Sequence, residues 1–200
     1  AVGEQVAFQR GNLNNLVGGL GGMDQTTAAF AWFREQAIKA GLPGLHLQLT
    51  SWGASRLHLK GVDAAPDDIV TRLGFDSQTH YQMVHFTHID RDYAEIIPDM
   101  VREWALMDET YTIPYFPHVS IGWDNNPRFK DFRPGVVKNN TPEQFRKALE
   151  LARVYADKHS GQAPLITINS WNEWTETSYL QPDDLHGYGY LEAVQQVFLP

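Results

Sequence analysis

Apolar positions along the chain recur alternately at helical and at extended spacing. From Asp24, the residues Phe30, Phe33, Ala37 and Ile38 fall at helical intervals, with Asp24 or Thr26 available as a cap, and Gly41 and Pro43 end the run. Residues 45–50 then read as a strand that runs into Ser51-Trp52-Gly53. The cycle repeats. Pro66–Leu73 predicts a short helix with Asp67 and Asp68 favourable in its first turn, and Gly74-Phe75-Asp76-Ser77 opens a brief strand ending near Thr79-His80-Tyr81. Residues 93–105 predict a third helix, started or kinked by Pro98, and residues 115–123 a strand. Thr141-Pro142-Glu143 opens the clearest helix, because Thr141 can cap it and Pro142 sits in the first turn, where its missing N–H costs nothing. Phe145, Leu149, Ala152 and Tyr155 form its apolar stripe; residues 164–170 are the last strand and residues 190–198 a closing helix.

Four good strands alternating with helices predict an α/β fold with parallel strands and helical crossovers. No Gly-x-Gly-x-x-Gly follows any of them, which removes the best support for a dinucleotide fold. Residues 1–23 are rich in Gly and Asn, and Gly18-Gly19-Leu20-Gly21-Gly22 reads as a flexible loop or lid; without a Gly-Lys-Ser/Thr ending it is no phosphate loop.

The chain has 200 residues, enough for one domain but short of the roughly 250 of a complete (β/α)8 barrel. Its net charge is -8 with no basic run, so a broad nucleic-acid surface is not expected. No apolar run reaches the length of a membrane span. There is no Cys, which removes disulfides and thiolate chemistry while leaving the compartment open. A neutral or weakly charged ligand suits this balance. Six Trp are present; most aromatic residues serve cores, but flat rings also cover the C–H faces of sugars.

In parallel α/β folds the site lies at the carboxyl ends of the strands. Three such ends combine polar and aromatic residues: Thr50-Ser51-Trp52, Trp123-Asp124-Asn125-Asn126-Pro127-Arg128 and Trp171-Asn172-Glu173-Trp174-Thr175-Glu176. Repeated Trp beside carboxylates suggests a sugar site. Glu173 and Glu176 follow the last strand directly, and cleaving an acetal needs a proton donor at the leaving oxygen and a second carboxylate at the sugar. Three-residue spacing separates them on a strand but puts them on one face of a turn or first helical turn, so they are expected where the strand has ended. The alternative, a solvated pair capping the following helix, has equal standing on spacing alone. His80 and Tyr81, near a strand end, are candidates for substrate contact or for packing. His85, His88 and Asp90 are spaced for a metal, although a polar loop is the commoner use of such a cluster.

The segment Ile168-Asn169-Ser170-Trp171-Asn172-Glu173-Trp174-Thr175-Glu176, with Tyr179-Leu180-Gln181-Pro182-Asp183 and Gly189-Tyr190-Leu191-Glu192-Ala193 after it, resembles the closing segment of the family 99-like glycoside hydrolases. That group includes the WbsX-type proteins, which carry a glycosyltransferase name. Pro117-His118-Val119-Ser120-Ile121-Gly122-Trp123-Asp124-Asn125-Asn126-Pro127-Arg128 resembles the preceding strand of the WbsX-type group, and Ala40-Gly41-Leu42-Pro43-Gly44 and Leu73-Gly74-Phe75-Asp76 are similar to earlier units. The resemblance touches most of the chain from about Phe30 onward. It implies a (β/α)8 TIM-type barrel, retaining cleavage of α-mannosidic bonds in an oligosaccharide or polysaccharide, and no metal or other cofactor. It implies that Glu173 acts as base on the sugar 2-hydroxyl and Glu176 as general acid and then base for water. Trp52, His80, Tyr81, Trp123, Asp124, Arg128, Trp171, Asn172 and Trp174 are the expected substrate-binding residues, Arg128 by orienting a carboxylate. Two positions depart from the family: Thr177 stands where Gly is common, and Gln181 stands where Glu precedes Pro.

The matching segments read as the second half of a barrel, so residues 1–200 are expected to form one barrel-type catalytic domain without its first strands. Half a parallel barrel has two open edges, so the remainder of a longer chain or a homo-oligomer is an expected partner. Two other functions stay open: a glycosyltransferase of surface polysaccharide, which needs a sugar nucleotide, and a non-catalytic carbohydrate-binding module. Periplasmic or extracellular placement would suit the hydrolase, and cytoplasmic placement the transferase.

Overall fold

The computed structural model describes residues 5–9 and 13–199. The chain divides into two compact units, the first made of Ala1–Thr79 with Leu106–Tyr115 and the second of His80–Ala105 with Phe116–Pro200.

In the first unit the order is β1 (Gln5–Gln9), α1 (Leu13–Leu20), α2 (Met23–Lys39), β2 (Leu45–Ser51), α3 (Pro66–Leu73) and β3 (Ser77–His80), whose last residue opens the second unit. The sheet order is β1-β2-β3, with β1 and β2 parallel from Gln5 opposite Leu45 to Gln9 opposite Leu49. β1 was not anticipated. Gly18 and Gly19 lie inside α1, which buries Leu13 and Val17, so the expected loop shrinks to a turn at Gly21-Gly22, both at positive φ. The remainder of that expected loop, residues 1–4 and 10–12, lies outside the described residues. Gly22 occupies the cap position of α2 with no side-chain cap. Asp24 instead pairs with Arg72 at 2.7 Å, and Thr26 donates to the Gly22 carbonyl at 2.8 Å.

In the second unit follow α4 (Tyr93–Thr110, its last turn belonging to the first unit), β4 (His118–Ser120), α5 (Pro142–Lys158), β5 (Thr167–Asn169), β6 (Asn172–Glu173), β7 (Ser178–Tyr179) and α6 (Gly189–Phe198). Pro98 lies inside α4 and does not start it. β4 and β5 are parallel and pair from His118–Thr167 to Ser120–Asn169. Both are shorter than the strands expected over residues 115–123 and 164–170. Thr141 caps α5 through its hydroxyl, which accepts from the Gln144 N–H at 3.4 Å. α5 packs on β4 and α6, and Phe145, Ala148, Leu149 and Ala152 are fully buried with Val119.

The fold is mixed α/β with parallel strand pairs, as the alternation predicts. The described strands fall into three separate sheets. Among the described residues no helix is long and apolar enough to cross a membrane.

Candidate active site

β5 leads into a hairpin in which Asn172 lies opposite Tyr179 and Glu173 opposite Ser178. A single 3-10 turn, Trp174–Glu176, caps the hairpin. The two glutamates are thus where a strand ends and a turn begins, the geometry that three-residue spacing needs to share a face. Thr177 closes the turn at φ 50, in the left-handed region that a β-branched residue adopts only at a cost of about 1–3 kcal/mol. The Thr177 hydroxyl donates to the Asp124 carbonyl at 3.1 Å.

Arg128 joins the two acids. Its guanidinium lies 3.0 Å from Glu176 Oε1 and 3.3 Å from Glu173 Oε1, through different terminal nitrogens. Its Nε donates to the Thr175 hydroxyl at 2.8 Å, and that hydroxyl donates to Glu173 Oε1 at 2.7 Å. The second oxygen of Glu176 accepts from the Tyr81 hydroxyl at 3.1 Å. Both carboxyls therefore converge on one cation that spans only the width of a guanidinium. The Glu176 side chain is 6% exposed and that of Glu173 27%, so one acid is screened and the other open. Two carboxyl groups thus share one guanidinium.

The wall behind the turn is backbone. The Asp124 N–H donates to the Glu176 carbonyl at 2.9 Å, returning the bond from Thr177. Gly122 permits this approach, since a Cβ there would stand 3.2 Å from the Thr177 carbonyl and overlap the Asn140 amide. Asp124 spends its own carboxylate on the backbone and side-chain nitrogens of Asn126, at 2.8 and 2.6 Å. It is thus a loop-former next to the acids.

The other expected residues sort as follows. Trp171 and Trp174 are half exposed, and Trp174 stacks on Tyr179 at 4.3 Å, a flat platform on the hairpin itself. Asn172 is exposed on β6, and Trp123 is partly buried, its carbonyl accepting from Val137. His80 and Tyr81 separate: Tyr81 reaches Glu176, whereas His80 is 2% exposed, 3.3 Å from Glu103, with its ring against Phe86. Burial pushes His80 below the usual histidine range. The structure makes His80 a core residue without the surface that substrate contact requires. Trp52, exposed at the end of β2, belongs to the first unit. Asp90 faces Lys138 at 3.0 Å, and among the described residues no group of three or more His, Asp or Glu is arranged to hold a metal. Thr175 was missed, although its place between the two glutamates of one motif marked it as a neighbour of both.

Residues 21–194 match the sequence model of the family described as glycosyltransferase WbsX. The chain belongs to the WbsX family. The match contains all of the acid cluster, from Tyr81 to Thr177, and places the chain among carbohydrate-active proteins. Two curated relatives, both uncharacterized proteins WxcX from Xanthomonas campestris pv. campestris (strains B100 and ATCC 33913), are 33% identical over 106 residues. That stretch is 52% of this WbsX-family chain and 14% of each relative, so the chain spans only a small part of their length. Among solved structures, a GH99 endo-alpha-mannosidase from Bacteriodes thetaiotaomicron in complex with Bis-Tris-propane is similar at 16% identity and a TM-score of 0.46, over 76% of this chain and 45% of that one.

Proposed function

We propose that this WbsX-family chain is the catalytic part of a retaining glycoside hydrolase that cleaves α-linked, mannose-type bonds within an oligosaccharide or polysaccharide. The observation that carries the reading is the convergence of Glu173 and Glu176 on Arg128, with Tyr81 behind Glu176 and the exposed Trp171 and Trp174 alongside. In this reading Glu173 takes the proton of the sugar 2-hydroxyl, whose oxygen attacks the anomeric carbon. Glu176 gives its proton to the departing glycosidic oxygen. It then takes a proton from the water that opens the three-membered ring, while Glu173 returns its proton to the 2-oxygen. An internal nucleophile gains from proximity, so neither glutamate needs to bond to the sugar. The more open acid suits the sugar, and the screened one suits proton transfer to a bond already covered by substrate. Trp171, Trp174, Trp123 and Asn172 are proposed as sugar contacts, Arg128 as the group that orients both carboxylates, and the barrel, incomplete in this stretch of chain, as the scaffold.

The test is a panel of α-mannan oligosaccharides followed by proton NMR during cleavage. The expected first product carries the α-anomer; a first product with the β-anomer would contradict the mechanism. A glycosyltransferase is the second reading, favoured by the name of the matched family. Calorimetric binding of a sugar nucleotide, with no cleavage across the panel, would select it.

A further inference from the structure

Gln82 is fully buried, one residue beyond the Tyr81 that touches Glu176, and takes no part in the chemistry above. Its side-chain orientation is dictated by its neighbours. The Met83 N–H can only donate and meets Oε1 at 2.8 Å, while the Gly122 carbonyl can only accept and lies 3.0 Å from Nε2. The same nitrogen lies 3.4 Å from the Ser178 hydroxyl and 3.5 Å from Asn169 Oδ1. One amide thus touches the ends of β4 and β5 and the returning strand of the hairpin.

Two limbs lead from it to the two acids. Along the first, Gly122 precedes Asp124, whose N–H holds the Glu176 carbonyl. Along the second, Ser178 donates to the Asn169 carbonyl at 2.7 Å, and its own carbonyl accepts from the Ser170 hydroxyl at 3.0 Å. That hydroxyl accepts from the Glu173 N–H at 3.2 Å. Each limb ends on the backbone of a different glutamate, and both begin at Gln82. Buried amides with every partner fixed make rigid joints, because any shift leaves a polar group unpaired without water to replace the bond.

We propose that Gln82 is a positioning residue that sets the separation of Glu173 and Glu176. The proposal rests on the hydrolase reading for its effect on turnover, but not for its effect on the hairpin.

Gln82→Met keeps the length of the side chain and removes its polarity. Misplacing the acids by a fraction of an ångström to an ångström should lower kcat about 10- to 100-fold and leave KM within about twofold, since sugar contact lies on other residues. Ser178→Ala, a smaller change on the same limb, should act in the same direction and protects the test if Gln82→Met does not fold. Hydrogen exchange of residues 171–180 should quicken about tenfold or more in both variants, with α5 unchanged. The double variant should be no worse than the more severe single one, because both break one network. Glu176→Gln, assayed beside them on α-mannan oligosaccharide, separates the two ideas. If it retains turnover while the hairpin exchange quickens, the hydrolase reading fails and the joint stands. Unchanged hairpin exchange in both variants overturns the joint, and so does quickened exchange with undiminished kcat when Glu176→Gln is inactive.

Discussion

Both units bury polar side chains, but of different kinds. Among the described residues the first unit buries Thr26, Gln48, Ser51, Ser77, Gln78 and Thr79, all neutral. Some of them pair with one another: Ser51 donates to Gln78 at 2.7 Å, and Gln48 donates to Ser77 at 3.2 Å. The second unit buries His80, Glu103, His118 and Glu176 besides its amides and hydroxyls. Neutral groups need only hydrogen bonds to be kept out of water, whereas ionisable groups need charge partners or must shift their titration. Burial lowers the titration of His80 and His118, whereas Glu103 faces His80 and Glu176 faces Arg128, so the second unit is the one in which chemistry is expected.

Removing the cation that binds the two acids should break the contrast most severely. Arg128→Ala leaves Glu173 and Glu176 facing each other with no positive charge between them, and kcat should fall about 100-fold, as when one preorganised donor is lost from an active site. An unchanged kcat in a folded variant would make the ion pair a surface ornament. The next effect separates the units by pH. Burial, aided by the neighbouring His80 and His85, pushes His118 down from 6.5 to about 3. As pH falls below 6.5 the unfolded chain takes up this proton and the folded chain does not, so stability is intact above that pH and is lost progressively toward 3. Between pH 7 and 5 the loss from His118 alone should be about 2 kcal/mol, and His80 shifts in the same direction. Urea unfolding of wild type and His118→Asn at both pH values measures it; an identical pH slope in the two proteins would contradict it. The smallest effect belongs to the neutral unit. Ser51→Ala should cost about 1 kcal/mol at either pH, with the wild-type slope and no change in turnover.

Helix positions were legible because they follow from short-range rules. Pro66–Leu73 was bounded correctly by its proline and glycine, and Thr141-Pro142 marked the start of α5. Strands were less so. Of the expected strand over residues 115–123, His118–Ser120 forms β4 and Tyr115 makes only an isolated bridge with Gln78, since pairing depends on partners elsewhere in the chain. Gly18 and Gly19 read as a loop because glycine disfavours helices, yet burying Leu13 and Val17 prevails over that preference. The two glutamates were readable from spacing and resemblance. Arg128 was expected to orient a carboxylate and lies against both, but the bond of Tyr81 to Glu176, 95 residues away in sequence, was not readable, since no local pattern announces such a contact. For His80 the sequence left contact and packing both open, because a strand end looks alike whether its side chain faces the core or the solvent.

The central claim is that the turn holding Glu173 and Glu176 performs the chemistry of this chain. It is tested most directly by measuring turnover and glycan affinity of Glu176→Gln on an α-linked oligosaccharide cleaved by the wild type. The account predicts cleavage reduced at least about 1,000-fold with affinity nearly unchanged, as befits loss of a proton donor. Cleavage at the wild-type rate by a folded Glu176→Gln protein would contradict it.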